Sequence, residues 1–216
     1  SRTFGVTWKR IYKNSNGFFN LSLSNNELEN NFERFEDNVS RKNKVYSNLS
    51  TEEDIKVRFI SNNNFDNYKF SFGGNFQLSK YSNRTLFKFF NINYNSNIDF
   101  FKYGLFIKSS KRFFNDKLSL SFGVRTDQDN FTSENKIFEN ISPRLALSLS
   151  LSKNNKWNLN LTSGRYYKMP TYTSLGFRDL NNMLINKNSK YTQSDHIVVG
   201  LESVSYTHLT LPTNRE

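Results

Sequence analysis

The stretch that decides the fold is SPRLALSLSLSKNNKWNLNLTSGRYYKMP, residues 142–170. Every second residue from Leu145 to Leu151 is a leucine, and alanine or serine occupies the positions between them. After two asparagines the alternation resumes at Trp157. Because successive side chains on a strand point to opposite faces, this pattern predicts two strands joined by a tight turn. It leaves open whether the leucines face a soluble core or lipid.

The composition is polar, yet it is rich in aromatic rings. Hydrophobic residues make up 36% of the 216 residues, but 22 of the residues are Phe and 11 are Tyr. Disordered chains of this polarity are poor in aromatics, so we expect a folded protein that buries or half-buries these rings. The chain has no cysteine, which excludes disulfides and thiolate metal sites.

The net charge of +11 raises the possibility of nucleic-acid binding. The lysines are spread along the chain, without a run of five basic residues and without a helical period to carry a basic stripe. We therefore predict no nucleic-acid partner. No stretch of about 18 consecutive apolar residues is present, so the sequence predicts no transmembrane helix.

Alternating segments recur along the whole chain and predict about nine strands. The connectors predicted between them alternate between short ones and long polar ones. The short connectors are residues 14–17, 62–66, 113–116 and 153–155, and the long ones are roughly residues 25–52, 82–97, 128–141 and 168–191. In an up-and-down meander this places every long connector at one end of the sheet, as in outer-membrane β-barrels.

The two faces of the predicted strands favour a membrane barrel. A soluble sandwich would need a second sheet and Greek-key connections, whereas the face opposite the leucines carries small polar residues that suit the interior of a barrel. The fold class is therefore an all-β, transmembrane, antiparallel up-and-down β-barrel. The residues predicted to face lipid are Leu118, Leu120, Phe122, Leu145, Leu147, Leu149, Leu151, Leu159 and Leu161. A soluble β-sheet binding or adhesion module, with the leucines in its core, is the alternative.

Residues 117–202 resemble the barrel of TonB-dependent outer-membrane receptors of the Bacteroidota type. The similar segments are KLSLSFGVRTDQDNF (117–131), ISPRLALSLSLS (141–152), WNLNLTSGRYYKMPTYTSLGF (157–177) and YTQSDHIVVGLE (191–202). The resemblance implies a 22-stranded barrel with a plug domain and a TonB box, located in the bacterial outer membrane. It also implies uptake of a large, scarce nutrient, an iron–siderophore complex or an oligosaccharide, with energy from the TonB complex. A passive porin is the membrane alternative.

The domain organisation follows from this resemblance. Residues 1–202 are predicted to form part of a barrel, an internal fragment of about nine strands without the plug domain and the barrel ends. Residues 203–216, SVSYTHLTLPTNRE, resemble the peptide encoded by a sequencing-library adapter and are expected to be a non-native tail.

Candidate sites are sparse in the sequence. His196 and His208 have no ligand partners at metal-binding spacing, and no catalytic arrangement is visible, so we predict no enzyme, no metal site and no cofactor. The best candidates for contact with an extracellular ligand are Tyr166, Tyr172, Phe177 and Arg178, in or beside the connector 168–191. Rings can stack on sugars or aromatic chelators, and an arginine fork grips carboxylates. A connector that only packs on its neighbours is the alternative.

The orientation of the leucines can be tested by labelling single cysteines in the intact protein in lipid. A cysteine at Leu147 or Leu149 should report a hydrocarbon environment, and a cysteine at Ser148 should react with water-soluble reagents, because neighbouring residues face opposite sides of a strand. The reverse accessibility would place the leucines in a soluble core.

Overall fold

The computed structural model describes residues 1–13, 16–132, 138–152, 156–179 and 181–203. These residues form one antiparallel sheet of nine strands, each paired with the next along the chain. The strands are β1 (Arg2–Ile11), β2 (Phe18–Asp37), β3 (Lys42–Phe65), β4 (Tyr68–Phe87), β5 (Ile92–Phe113), β6 (Leu118–Asp129), β7 (Ile141–Ser150), β8 (Trp157–Lys168) and β9 (Thr192–Ser203). The predicted all-β meander of about nine strands is confirmed.

Two short helical turns interrupt the strands: a 3-10 turn at Lys88–Phe90, and the helix α1 at Tyr172–Leu175. The part of the chain that the structure describes has no helix with the length and apolar character needed to cross a membrane. Across the same residues the sheet is open, with β1 and β9 as its two edges.

The strand register aligns the predicted lipid-facing residues on one side of the sheet. Leu118, Leu149 and Leu159 are successive partners across β6, β7 and β8. The next row contains Leu120, Leu147 and Leu161, and Phe122 is paired with Leu145. Leu151 follows the end of β7 and is exposed. We call this side the apolar face. The opposite side, on which Ser148 is paired with Asn160, is the polar face.

The apolar face is largely uncovered. Large side chains on it are about half exposed, including Leu105 at 51%, Leu145 at 47% and Phe76 at 43%. A soluble protein rarely exposes an apolar surface of this extent, so the exposure favours a face that lipid covers. The buried apolar side chains lie elsewhere: Tyr81, Ile98 and Phe100 cluster on the polar face with Leu175.

The structure corrects two of the predicted long connectors. Residues 25–52 and 82–97 were expected to be loops, but β2 and β3 continue as a paired hairpin with a turn at residues 38–41. Likewise β4 and β5 remain paired as far as Phe87 and Ile92. The short connector predicted at residues 62–66 is also mostly strand, because β3 runs to Phe65.

The physical reason for this correction lies in the length of the strands. Strands β2 to β5 have 20 to 24 residues, whereas β6 to β9 have 10 to 12, and about 9–11 residues suffice to span a bilayer. Strands β2–β5 therefore have a projecting half that extends beyond the shorter strands, and in this half polar residues occupy both parities, with separate aromatic and apolar side chains among them. The apolar alternation therefore disappears while the backbone hydrogen bonds continue.

The other two long connectors, at 128–141 and 168–191, lie mainly between strands as predicted, since β6 ends at Asp129 and β8 ends at Lys168. Two predicted short turns lie partly or wholly outside the described residues, because residues 14–15 and 153–155 are not described. The predicted tail is outside them as well, except for Ser203, the last residue of β9.

A pair of arginine substitutions on neighbouring positions of β7 tests which face contacts lipid. Leu147→Arg should destabilise the intact barrel by about 2–4 kcal/mol if it lies near the bilayer midplane, because the charge enters hydrocarbon. Ser148→Arg, which adds the same charge to the polar face, serves as the matched control and should cost less. Equilibrium unfolding in lipid vesicles measures both; equal costs would contradict the assignment of the faces.

Candidate functional site

The segment between β8 and β9, residues 169–191, folds over the polar face of the sheet. Its helix α1 begins after Thr171, whose side chain accepts a hydrogen bond from the backbone N–H of Ser174 at 3.4 Å. Leu175 is completely buried against Tyr81, Ile98 and Phe100 of β4 and β5. This apolar contact holds the segment against the projecting half of the sheet.

Tyr172 anchors the segment through four polar contacts. Its hydroxyl accepts a hydrogen bond from Lys102 Nζ at 2.6 Å and one from Gln77 Nε2 at 3.2 Å, and it donates to Asp54 Oδ1 at 3.2 Å. Ser79 Oγ lies 3.1 Å away. Burial raises the pKa of the Tyr172 phenol, so it stays protonated and can serve as the donor to Asp54.

A cavity of about 690 Å³ lies beside this anchor, between the segment and the polar face. Six cationic side chains and three carboxylates line it. The cations are Lys56, Arg58, Lys102, Arg125, Arg144 and Lys168, and the carboxylates belong to Glu52, Asp54 and Asp127. Tyrosines complete the wall at Tyr103, Tyr167, Tyr172 and Tyr191. The site therefore combines aromatic rings with an excess of positive charge.

The ion pair between Arg125 and Asp127 forms one side of this cavity. Arg125 Nε contacts Asp127 Oδ2 at 2.5 Å, and Arg125 Nη2 donates to Asn75 Oδ1 at 3.0 Å. The Asp127 carboxylate lies directly over Gly104, where a Cβ atom would overlap with it. Gly104 is thus required for this pair, because any side chain there would displace the carboxylate.

A second cavity, of about 430 Å³, adjoins the first and shares Arg58, Arg125 and Arg144 with it. The Arg144 guanidinium lies over the ring of Tyr166, 4.5 Å from its centroid. The ring of His196 packs edge-on against Tyr166 from the neighbouring strand, with 5.1 Å between the centroids. Arg144, Tyr166 and His196 therefore contact one another in a row on the polar face.

The four ligand-contact candidates fall into two pairs. Tyr166 lines the second cavity and Tyr172 lines the first. Phe177 packs against Tyr94 of β5, with ring centroids 6.1 Å apart. Arg178 donates to the backbone carbonyl of Asn182, within its own segment, at 2.8 Å. The structure brings the two tyrosines to the cavities and gives Phe177 and Arg178 packing contacts. Ligand contact by any of the four stays a prediction.

The charged residues of the polar face were missed as site candidates. Asp54, Arg58, Lys102 and Arg144 lie on three different strands, β3, β5 and β7, and only the register brings them to one cavity. The sequence did contain a signal for these residues. On the predicted polar face most positions carry serine, glycine or asparagine, and the few charged residues at the same parity mark candidate positions for ligand contact inside a barrel.

The chain is similar to a known protein family and to solved structures. The family model described as "TonB dependent receptor-like, beta-barrel" matches residues 1–206. One similar structure is the copper transporter OprC, with a TM-score of 0.71 and 14% identity over 94% of this chain and 37% of that chain. Another is the structure of the FpvAI–pyocin S2 complex, with a TM-score of 0.55 and 12% identity over 92% of this chain and 29% of that one.

At this identity the two structures establish the likeness of fold alone. The chain spans about a third of the length of the two solved chains, 37% of one and 29% of the other. No curated protein sequence matches it.

The requirement for Gly104 can be tested in the intact protein. Gly104→Ala should destabilise the barrel by about 1–3 kcal/mol, because the added methyl group forces the Asp127 carboxylate away and breaks its pair with Arg125. Gly123→Ala is the matched control, since its Cβ would meet no atom closer than 3.4 Å. Urea unfolding in lipid vesicles compares the two. Equal stability would show that the pair tolerates a side chain at residue 104.

Proposed function

The chain belongs to the TonB-dependent receptor-like β-barrel family, and we propose on that basis that the intact protein imports a large, scarce nutrient across the bacterial outer membrane with energy from the TonB complex. The family match over residues 1–206 is the observation that carries this proposal. It also agrees with the prediction that the protein is not an enzyme. Residues 1–202 then form part of the barrel wall that surrounds the path of the nutrient.

The geometry of the polar face supports the import of a ligand larger than water or a simple ion. The larger cavity has a volume of about 690 Å³, within the range of sites that hold small organic molecules. The segment 169–191 forms its roof and contributes Tyr172, while the strands provide the charged wall. A ligand that enters from the projecting end of the sheet meets the rings and charges beneath this roof, on both the long strands and the membrane-length ones.

Two classes of ligand fit this combination of side chains. Tyr166, Tyr172 and the other tyrosines offer flat surfaces for sugars or aromatic chelators, and the arginines offer forks for carboxylates. Iron–siderophore complexes and oligosaccharides are therefore the leading substrates. The name of one similar structure, a copper transporter, is compatible with uptake of a scarce metal.

A passive porin is the second candidate, because an open barrel with a polar interior also conducts small solutes. The segment 169–191, which forms the roof of the larger cavity, favours one of these two candidates. Segment 169–191 places a buried apolar cluster around Leu175 and the Tyr172 anchor against the polar face, which obstructs free diffusion. We therefore favour energised import over passive conduction.

The proposal predicts that uptake depends on TonB. Cells that produce the intact protein should outgrow cells that lack it on some member of a panel of ferric siderophores and oligosaccharides supplied as the sole iron or carbon source. Deletion of TonB, or dissipation of the proton-motive force, should abolish the uptake of that compound, because the energy for import comes from the inner membrane.

A control porin in the same cells should keep its uptake after TonB is deleted. Uptake through the protein that persists without TonB for every compound on the panel would contradict energised import and support the porin.

A further inference from the structure

We propose that Arg58, Arg125 and Arg144 form an anion-binding site on the polar face, and that the site takes the carboxylate groups of a small polyanionic ligand. The inference rests on the proposed function and narrows it, because it places the ligand among acidic compounds, such as carboxylate-bearing metal chelates, and not among neutral oligosaccharides. The three arginines line both cavities, so the site lies where the cavities join.

The strand register creates an unusual row of residues through this site. Lys108, Gly123, Arg144, Gly164 and His196 are successive partners across β5, β6, β7, β8 and β9. Lysine, arginine and histidine thus alternate with glycine. Since neighbouring strands lie about 4.8 Å apart, Lys108 and Arg144 are separated by about 10 Å at the backbone. Gly123, where a Cβ atom would meet no atom closer than 3.4 Å, leaves space between Lys108 and Arg144 for an anion of the size of a carboxylate.

Two of the three arginines have no carboxylate partner within the ranges that the structure describes. Arg125 is paired with Asp127, and on another part of the sheet Arg165 is paired with Asp195. By contrast, neither Arg58 nor Arg144 forms an ion pair with a described residue. With six cations and three carboxylates around the larger cavity, positive charge is left over to interact with a bound anion.

Arg144 is also held in place before any ligand binds. The aliphatic part of its side chain passes close over Gly164, and a Cβ atom at residue 164 would lie 3.2 Å from Arg144 Cγ. Its guanidinium rests on Tyr166, which in turn packs against His196. A stacked guanidinium keeps its N–H groups free at the edge of the plane, where they can bind a carboxylate through two parallel hydrogen bonds. Because the fold already orders the Arg144 side chain, ligand binding loses less conformational entropy there.

Neutral sugars would not use these features. A neutral polyol offers hydroxyl groups to the arginines but leaves their charge uncompensated in a partly enclosed space, whereas a carboxylate provides both the hydrogen bonds and the opposite charge. The same excess of positive charge raises the local concentration of anions before contact is made. The chemistry of the wall therefore selects for acidic ligands.

The charge of the site can be measured without knowing the natural ligand. Ala146→Cys places a thiol two residues from Arg144 on the polar face, in the cavity that the three arginines line. The described chain has no cysteine of its own; any others in the intact protein are replaced by serine. The purified protein in detergent is then treated with a sulfonate-bearing methanethiosulfonate or with neutral methyl methanethiosulfonate, and the ratio of the two reaction rates is measured.

The anionic reagent should be favoured by the positive site. In the Arg58→Gln/Arg144→Gln double variant, the ratio of anionic to neutral rates should fall on the order of tenfold, since the local field that concentrates anions is weakened. Citrate, used as a polycarboxylate, should slow labelling more than sodium chloride at the same ionic strength, and this protection should be lost in the double variant.

Two variants separate charge from structure. Arg84→Gln removes one positive charge from the opposite parity of β4, where Arg84 is exposed and bonded to Asn95, and it should leave the ratio unchanged. Arg144→Lys keeps the charge but loses the planar fork; it should keep the ratio and weaken protection by citrate. An unchanged rate with the neutral reagent confirms that each variant remains folded around residue 146.

Three results would overturn the site: a ratio that the double variant does not change, protection by citrate no greater than by salt, or a neutral reagent that does not reach residue 146. None of these measurements requires TonB or a proton-motive force. A negative result for the anion site would therefore not contradict the proposal of energised import. Equally, uptake that does not depend on TonB would not contradict the anion site.

Discussion

The backbone hydrogen bonds between neighbouring strands are the constraint on which the rest of this structure depends. In the outer membrane, where proteins of this family are located, no water is available to pair with an exposed N–H or C=O group in hydrocarbon. Each strand must therefore pair along its whole membrane length with the next. The continuous registers from β1 to β9 meet this requirement in the interior of the sheet, and in the family the closed barrel meets it at the edges.

Once the register is fixed, the two faces of the pleated sheet carry different kinds of side chain. One parity carries the rows of leucine around Leu147 and Leu161, whose exposure suits lipid. The other parity carries the charged residues, as we expect of a face that points to the interior of a barrel. The register also places charges from distant parts of the chain in one cavity: Asp54 and Lys102 meet at Tyr172, and Arg58 and Arg144 line the same cavities.

The long hairpins give the interior a wall that extends beyond the membrane. Strands β4 and β5 carry Tyr81, Ile98 and Phe100 on the projecting part of the polar face, and Leu175 packs against them. This apolar contact positions the segment 169–191, and the hydrogen bonds of Tyr172 fix its orientation. The roof therefore rests on the projecting strands, beside the charged wall.

The alternation of leucine with small residues was sufficient to predict β6 to β8, their common face and the sheet class, because period two is a property of the strand itself. It failed for the projecting halves of β2 to β5, where polar residues occupy both parities and the apolar alternation is lost. The sequence also identified Tyr166 and Tyr172 as candidates, in or beside the connector 168–191. It could not show that Phe177 packs on Tyr94, or that Arg178 bonds within its own segment.

The sequence by itself determined which residues share a face of each strand; the tertiary structure decided which residues of different strands become neighbours. The row from Lys108 through Arg144 to His196 joins residues up to 88 positions apart. The physical reason is that strand pairing can shift by two residues without changing the face of any side chain. Only the turns and the packed connectors select one register, and with it the charge of the cavity.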